Sequence, residues 1–190
     1  MAVEPTLETN LNRRPGLIFL TLTFALAEAA TAQEAQQAPQ ISQTYCQENP
    51  GFDEWDFWVG EWKVYGNNEQ RAFAGTNSIT KHYANCLITE TWVDAAGNGG
   101  FSINYYNPVR KQWRQVWVSN GYSIDYTGGL NDQGQMVLEG EIDNYLPNTS
   151  APFRGIWTPQ PNGDVVQRFE AFDAESDKWI VWFEGLYVKQ

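Results

Sequence analysis

Residues 113–130 read WRQVWVSNGYSIDYTGGL, and the reading of this stretch decides the fold. Trp113, Gln115 and Trp117 alternate with Arg114, Val116 and Val118. A period of two is the mark of a β-strand, whose successive side chains face opposite sides of the sheet. Asn120-Gly121 follows, the dipeptide best suited to a two-residue hairpin turn of positive φ. A second strand, Tyr122 to Leu130, then runs back along the first.

Working outward, the same rhythm of short alternating runs and turn residues covers the chain from Trp55 onward, with no helical stretch of useful length. The first strand is expected over Trp55 to Tyr65, with Trp58, Gly60, Trp62 and Val64 on one face. Upstream of the hairpin come Gly75 to His82, Leu87 to Val93 and Phe101 to Tyr106, the last ended by Asn107-Pro108. Downstream come Met136 to Ile142, Phe153 to Thr158, Val165 to Asp173 and Trp179 to Tyr187. Pro147, Pro152, Pro159 and Pro161 are assigned to the connections, because proline cannot donate to a ladder.

Short connections pair each strand with its sequence neighbour and give a meander of about ten strands. Left open, such a sheet exposes two edges; closure removes them. The expected fold is therefore all-β, an antiparallel up-and-down β-barrel. A barrel of that strand number is wider than side chains comfortably fill, so an internal cavity is expected.

The N-terminus has the order of a secretory signal peptide. Arg13 and Arg14 precede an apolar run from Leu17 to Ala27, and Ala30-Thr31-Ala32 supplies small residues for cleavage after Ala32. The run is too short to span the ~30 Å apolar layer of a bilayer as a helix, so no integral membrane segment is expected after cleavage. Residues 33–54, beginning QEAQQAPQ, read as a linker and 55–190 as the barrel domain. The expected location is secreted or periplasmic. Cys46 and Cys86 then pair in an oxidising compartment, and closing a loop of about 40 residues stabilises a fold by roughly 4 kcal/mol.

Composition excludes several functions. With 23 acidic and 12 basic residues and a net charge of −11, the chain lacks the basic patches that nucleic acid requires. His82 is the sole histidine, there is no Cys-x-x-Cys and no Gly-rich phosphate loop, so neither metal nor cofactor is expected. Asn148-Thr149-Ser150 matches a glycosylation sequon, relevant only in a eukaryotic host.

The segment Asp56-Phe57-Trp58-Val59-Gly60-Glu61-Trp62 carries a resemblance. A Gly-x-Trp at the first strand of a meander barrel resembles the calycin superfamily of lipocalin-like and nitrobindin-like barrels. The Phe-Trp-x-Gly-Glu-Trp start resembles an exported, largely uncharacterised bacterial family within that style of fold. The resemblance implies a Trp62 packed at the closed end and a ligand held in the interior.

Candidate site residues come from polar side chains interleaved with aromatics. Glu90 and Trp92 share a face, as do Ser102, Asn104 and Tyr106 on the next strand and Trp113, Gln115 and Trp117 on the one after. Facing inward, they form an aromatic wall with a few hydrogen-bonding groups, the chemistry of a small-molecule site. Arg168, near Glu170 and with Arg154 on the preceding strand, is a further candidate, either as an anchor for an anionic head group or as a surface ion pair. The leading expectation is a binder of a small, largely apolar or aromatic molecule through Glu90, Trp92, Asn104, Tyr106, Gln115, Trp117 and Arg168. One alternative is an isomerase, cyclase or hydratase using Glu90 as general acid or base. Another is a carbohydrate or surface-interaction module, which requires a flat aromatic strip on the outside of the barrel.

Overall fold

In the computed structural model, which describes residues 42–190, ten antiparallel strands close into one barrel. The strands are β1 (Gly60–Gly66), β2 (Phe73–His82), β3 (Leu87–Asp94), β4 (Gly99–Asn107) and β5 (Gln112–Ser119). They continue as β6 (Tyr122–Leu130), β7 (Met136–Asn144), β8 (Thr149–Pro159), β9 (Val165–Asp173) and β10 (Lys178–Lys189). Each pairs with its sequence neighbour, and β10 returns to β1 with Trp62 opposite Lys189 and Gly66 opposite Gly185. Closure leaves no edge strand in the ring. The expected signal peptide, 1–32, and the start of the linker lie outside the described residues.

The alternation seen in residues 113–118 becomes an inward set of Trp113, Gln115 and Trp117, all buried, set between half-buried or exposed Arg114, Val116 and Val118. The hairpin at Asn120-Gly121 forms, with Val118 opposite Ser123, but neither turn residue takes a positive φ. The turn is held instead by Ser119 Oγ donating to the Tyr122 carbonyl at 3.0 Å, while the Gly121 carbonyl accepts from Tyr145 N.

Two expectations are corrected at the strand level. The first strand begins at Gly60, not Trp55: Asp56–Trp58 is a turn of 3-10 helix, and Gly60 at φ +148° makes the bend into the barrel. Prolines 152 and 159 lie within β8 rather than in connections. Pro152 pairs with Glu141 of β7, and β8 pairs with β9 only from Phe153 onward. At that position the second edge of β8 has no ladder for a proline to interrupt.

Part of the expected linker is a cap. A short helix α1 (Tyr45–Glu48) and two 3-10 turns, Pro50–Phe52 and Asp56–Trp58, lie across the end of the barrel where Trp113 and Trp157 emerge. Cys46 is bonded to Cys86 in the β2–β3 turn, fastening the cap to the rim. Trp55 sits against Trp58, Trp157 and Trp113 with ring centroids 4.9, 4.8 and 5.4 Å away, and all four indoles are buried. Trp62 donates its Nε1–H to the Trp58 carbonyl at 2.9 Å, and the Lys189 ammonium lies 5.6 Å from its ring. This aromatic plug closes one end of the barrel. Among the described residues no helix is long and apolar enough to cross a membrane.

Candidate functional site

Beyond the plug the barrel is hollow. A cavity of about 340 Å³ is lined on one side by Glu90, Trp92, Gln115 and Trp117 and on the other by Gln167, Phe169, Phe183 and Tyr187. Ala74, Asp94, Tyr122 and Trp182 stand around it toward the end opposite the cap. Interior glycines let large rings lie flat. A Cβ on Gly100 would fall 2.2 Å from Trp117 Cζ2, and one on Gly155 would fall 2.6 Å from Trp157 Cη2.

A β-bulge positions the far wall. Val181 pairs with Glu170 and Phe183 with Phe169, leaving Trp182 as the extra residue of β10. Bulges re-aim side chains. Here Trp182 packs edge-on against Tyr122, 5.5 Å away, and against Phe153, 5.7 Å away, while remaining half exposed.

The polar floor is a connected network. Asn77 Nδ2 donates to Glu90 Oε1 at 2.7 Å, and Ser102 Oγ donates to Glu90 Oε2 at 2.7 Å. Ser102 Oγ in turn accepts from Asn104 Nδ2 at 2.9 Å and from Gln115 Nε2 at 3.3 Å. Gln115 accepts from the Tyr126 hydroxyl, and Gln167 accepts from the Tyr187 hydroxyl. Such chains hold each member in one orientation, since a buried polar group without a partner is costly.

Burial pushes the Glu90 carboxyl up to about 7, against the opposing pull of its hydrogen bonds from Asn77 and Ser102. The same burial raises the phenols of Tyr126 and Tyr187 well above their usual range. Asp94 behaves in the opposite sense: the Asn98 side chain and backbone amides of the β3–β4 turn hold it below its usual value, so it stays ionised.

Of the residues singled out in the sequence, Glu90, Trp92, Gln115 and Trp117 meet at the cavity. Asn104 is buried in the network, donating to Ser102 and to the Ile88 carbonyl, and does not reach the cavity wall. Tyr106 is corrected: it belongs to the capped end, its ring 5.3 Å from Phe52 and stacked over Gly51. Arg168 takes the ion-pair alternative of its two readings. It alternates with the inward Gln167 and Phe169 and so points outward, bonding Glu170 at 2.8 Å and Glu184 at 3.5 Å. Arg154 bonds the other oxygen of Glu170 and lies over the Trp179 ring at 4.4 Å, making an outer-face ion cluster.

Other lining residues were missed. Tyr122, Ile124 and Tyr126 follow the strict alternation of β6 and Gln167 and Phe169 that of β9, so period-two counting was the available signal. Trp182 depends on the bulge, and Asp94 on where β3 ends. The exposed aromatics Phe73, Tyr83, Phe101 and Tyr145 sit on separate elements of the outer surface. Among the described residues no group of three or more His, Cys, Asp or Glu side chains is placed to hold a metal ion.

Fold and cavity together define a class: a closed ten-stranded antiparallel barrel, plugged by tryptophan at one end and hollow beyond, whose buried polar groups and aromatic cluster are compatible with ligand binding. No model of a known protein family matches the chain, and no curated protein matches it.

Proposed function

We propose that this protein binds a small, largely apolar or aromatic molecule inside the barrel, in the manner of calycin-like carriers, and that it is exported through a signal peptide, residues 1–32, which is then removed. The observation that carries this reading is the cavity of about 340 Å³ with aromatic walls and a few fixed polar groups, the pattern of small-molecule sites. The Cys46–Cys86 disulfide supports an oxidising compartment. Native mass spectrometry of the protein isolated from its own host, with tryptophan quenching against a library of neutral and charged aromatics, tests the reading. A retained or captured molecule that protects Trp117 from quencher is expected; a barrel that takes up none of them rejects it.

A second reading, an enzyme working in the same cavity, is favoured by one observation. Glu90 has its carboxyl raised to about 7 at the cavity wall, the range in which a group gives and takes protons at neutral pH. In that reading Glu90 is the general acid or base and Gln115 orients the substrate. Turnover that survives unchanged in Glu90→Gln rejects it.

A further inference from the structure

We infer that the interior site selects organic cations, namely amines carried on an aromatic or aliphatic body small enough for the cavity. The inference rests on the proposal that the cavity is a ligand site, and adds the sign of the ligand's charge.

Three observations converge on it. Among the described residues the charged groups lining the cavity are Glu90 and Asp94, and no Lys, Arg or His lines it. An anionic ligand would find no counter-charge, while a cationic one would find two carboxylates at different depths. Second, aromatic rings share the lining with those carboxylates: Trp92, Trp117, Tyr122 and Trp182. Ring faces attract an ammonium group, and the attraction strengthens when the site is shielded from water. Third, Glu90 keeps accepting capacity. Oε1 takes one hydrogen bond, from Asn77, while Oε2 takes two, from Ser102 at 2.7 Å and from Gln115 at 3.5 Å, and a carboxylate oxygen has two lone-pair directions. The hydrogen bonds fix the carboxylate and leave a lone pair of Oε1 for an ammonium N–H donor.

The arrangement also sets a pH dependence. The titratable groups facing Glu90 are Tyr122 and Tyr126 from β6 and Tyr187 from β10, all shifted upward by burial and so uncharged around neutrality, with ionised Asp94 on its own strand. None of them changes charge between pH 6 and 8, so Glu90 alone supplies the change there. An ammonium ligand binds the ionised carboxylate, and affinity therefore rises with pH through about 7. The ionised fraction of such a group grows about tenfold from pH 6 to 8, which sets the expected gain in affinity.

The test is isothermal titration calorimetry of the whole mature chain with three probes of one shape: 1-naphthylmethylamine, 1-naphthalenemethanol and 1-naphthoate. The expected result is amine binding about tenfold or more tighter than the alcohol at pH 8, with no uptake of the naphthoate, and an amine-to-alcohol ratio that falls at pH 6. Glu90→Gln is expected to lower that ratio at pH 8, and Asp94→Asn supplies a second variant at the mouth should the first fold poorly. Alcohol or naphthoate binding as tightly as the amine overturns the charge selection and leaves interior binding intact. Failure of all three to bind overturns interior binding and the inference with it.

Discussion

The Asn77 amide donates to the Glu90 carboxylate across the β2–β3 pair at 2.7 Å, and the two side chains are almost wholly buried. Burial outweighs the pull of that hydrogen bond, so the carboxyl resists ionisation, and folding stability must register that. Its folded value is about 7 against an ordinary 4.5. Below pH 4.5 both folded and unfolded chains hold the proton. Between 4.5 and 7 the unfolded chain releases it while the folded chain keeps it, so stability falls as pH rises. The loss is complete above 7 and amounts to about 3 kcal/mol. Denaturant melts from pH 4 to 8 are expected to show this decline, and Glu90→Gln to flatten it, the variant gaining on the native chain as pH rises.

Gly100 leaves the space that Trp117 occupies, since a Cβ there would come within 2.2 Å of the indole. Gly100→Ala is expected to displace the ring into the cavity and cost about 1–3 kcal/mol of stability. A urea melt, together with a change in tryptophan emission, checks both effects.

Ala74 stands in the lining near the cavity mouth and is not fully buried. Ala74→Phe fills space there with little strain on the core. Ligand uptake, read by calorimetry with the naphthyl probes, is expected to weaken about tenfold or more, a loss of about 1.4 kcal/mol, while the melting midpoint stays near that of the native chain.

The Cys46–Cys86 bond fastens the cap to the β2–β3 turn. Replacing both cysteines by serine is expected to cost about 2–4 kcal/mol, read by denaturant titration. Hydrogen exchange should then quicken at the amides of residues 45–58 before it does in the strands, because the cap is the part released.

Arg168 bonds Glu170 and Glu184 on the outer face, away from the cavity. Arg168→Met is expected to leave naphthyl-probe affinity unchanged in calorimetry. Its stability cost should exceed the ~1 kcal/mol limit of an exposed pair, because Glu170 is buried and loses one of its two guanidinium partners.

Much of the barrel was legible because its physics is local. Trp113, Gln115 and Trp117 announce a face by spacing alone, and Glu90 with Trp92 does the same two strands away. Pairing and closure then follow from short connections. The cap was not legible, since residues 45–58 have no period and are ordered by contact with Trp113, Trp157 and the disulfide partner. The choice between the two readings of Arg168 was not legible for a related reason: which half of the β9 alternation faces inward is fixed by Gln167 and Phe169 meeting the β10 residues Gly185 and Phe183. Trp182 reaches the mouth only through a bulge, an insertion of one residue that period counting reads as noise.

Interior binding itself is tested most directly by nitrogen-proton correlation spectra of the tryptophan indoles, assigned with single Trp→Phe variants, during titration with 1-naphthylmethylamine and then 1-naphthalenemethanol. Trp92, Trp117 and Trp182 line the cavity, whereas Trp55, Trp58 and Trp157 belong to the plug. The account predicts that the first three indole signals move with added probe while the plug signals hold still. Spectra in which no indole signal moves with either probe, or in which only the plug signals do, would contradict it.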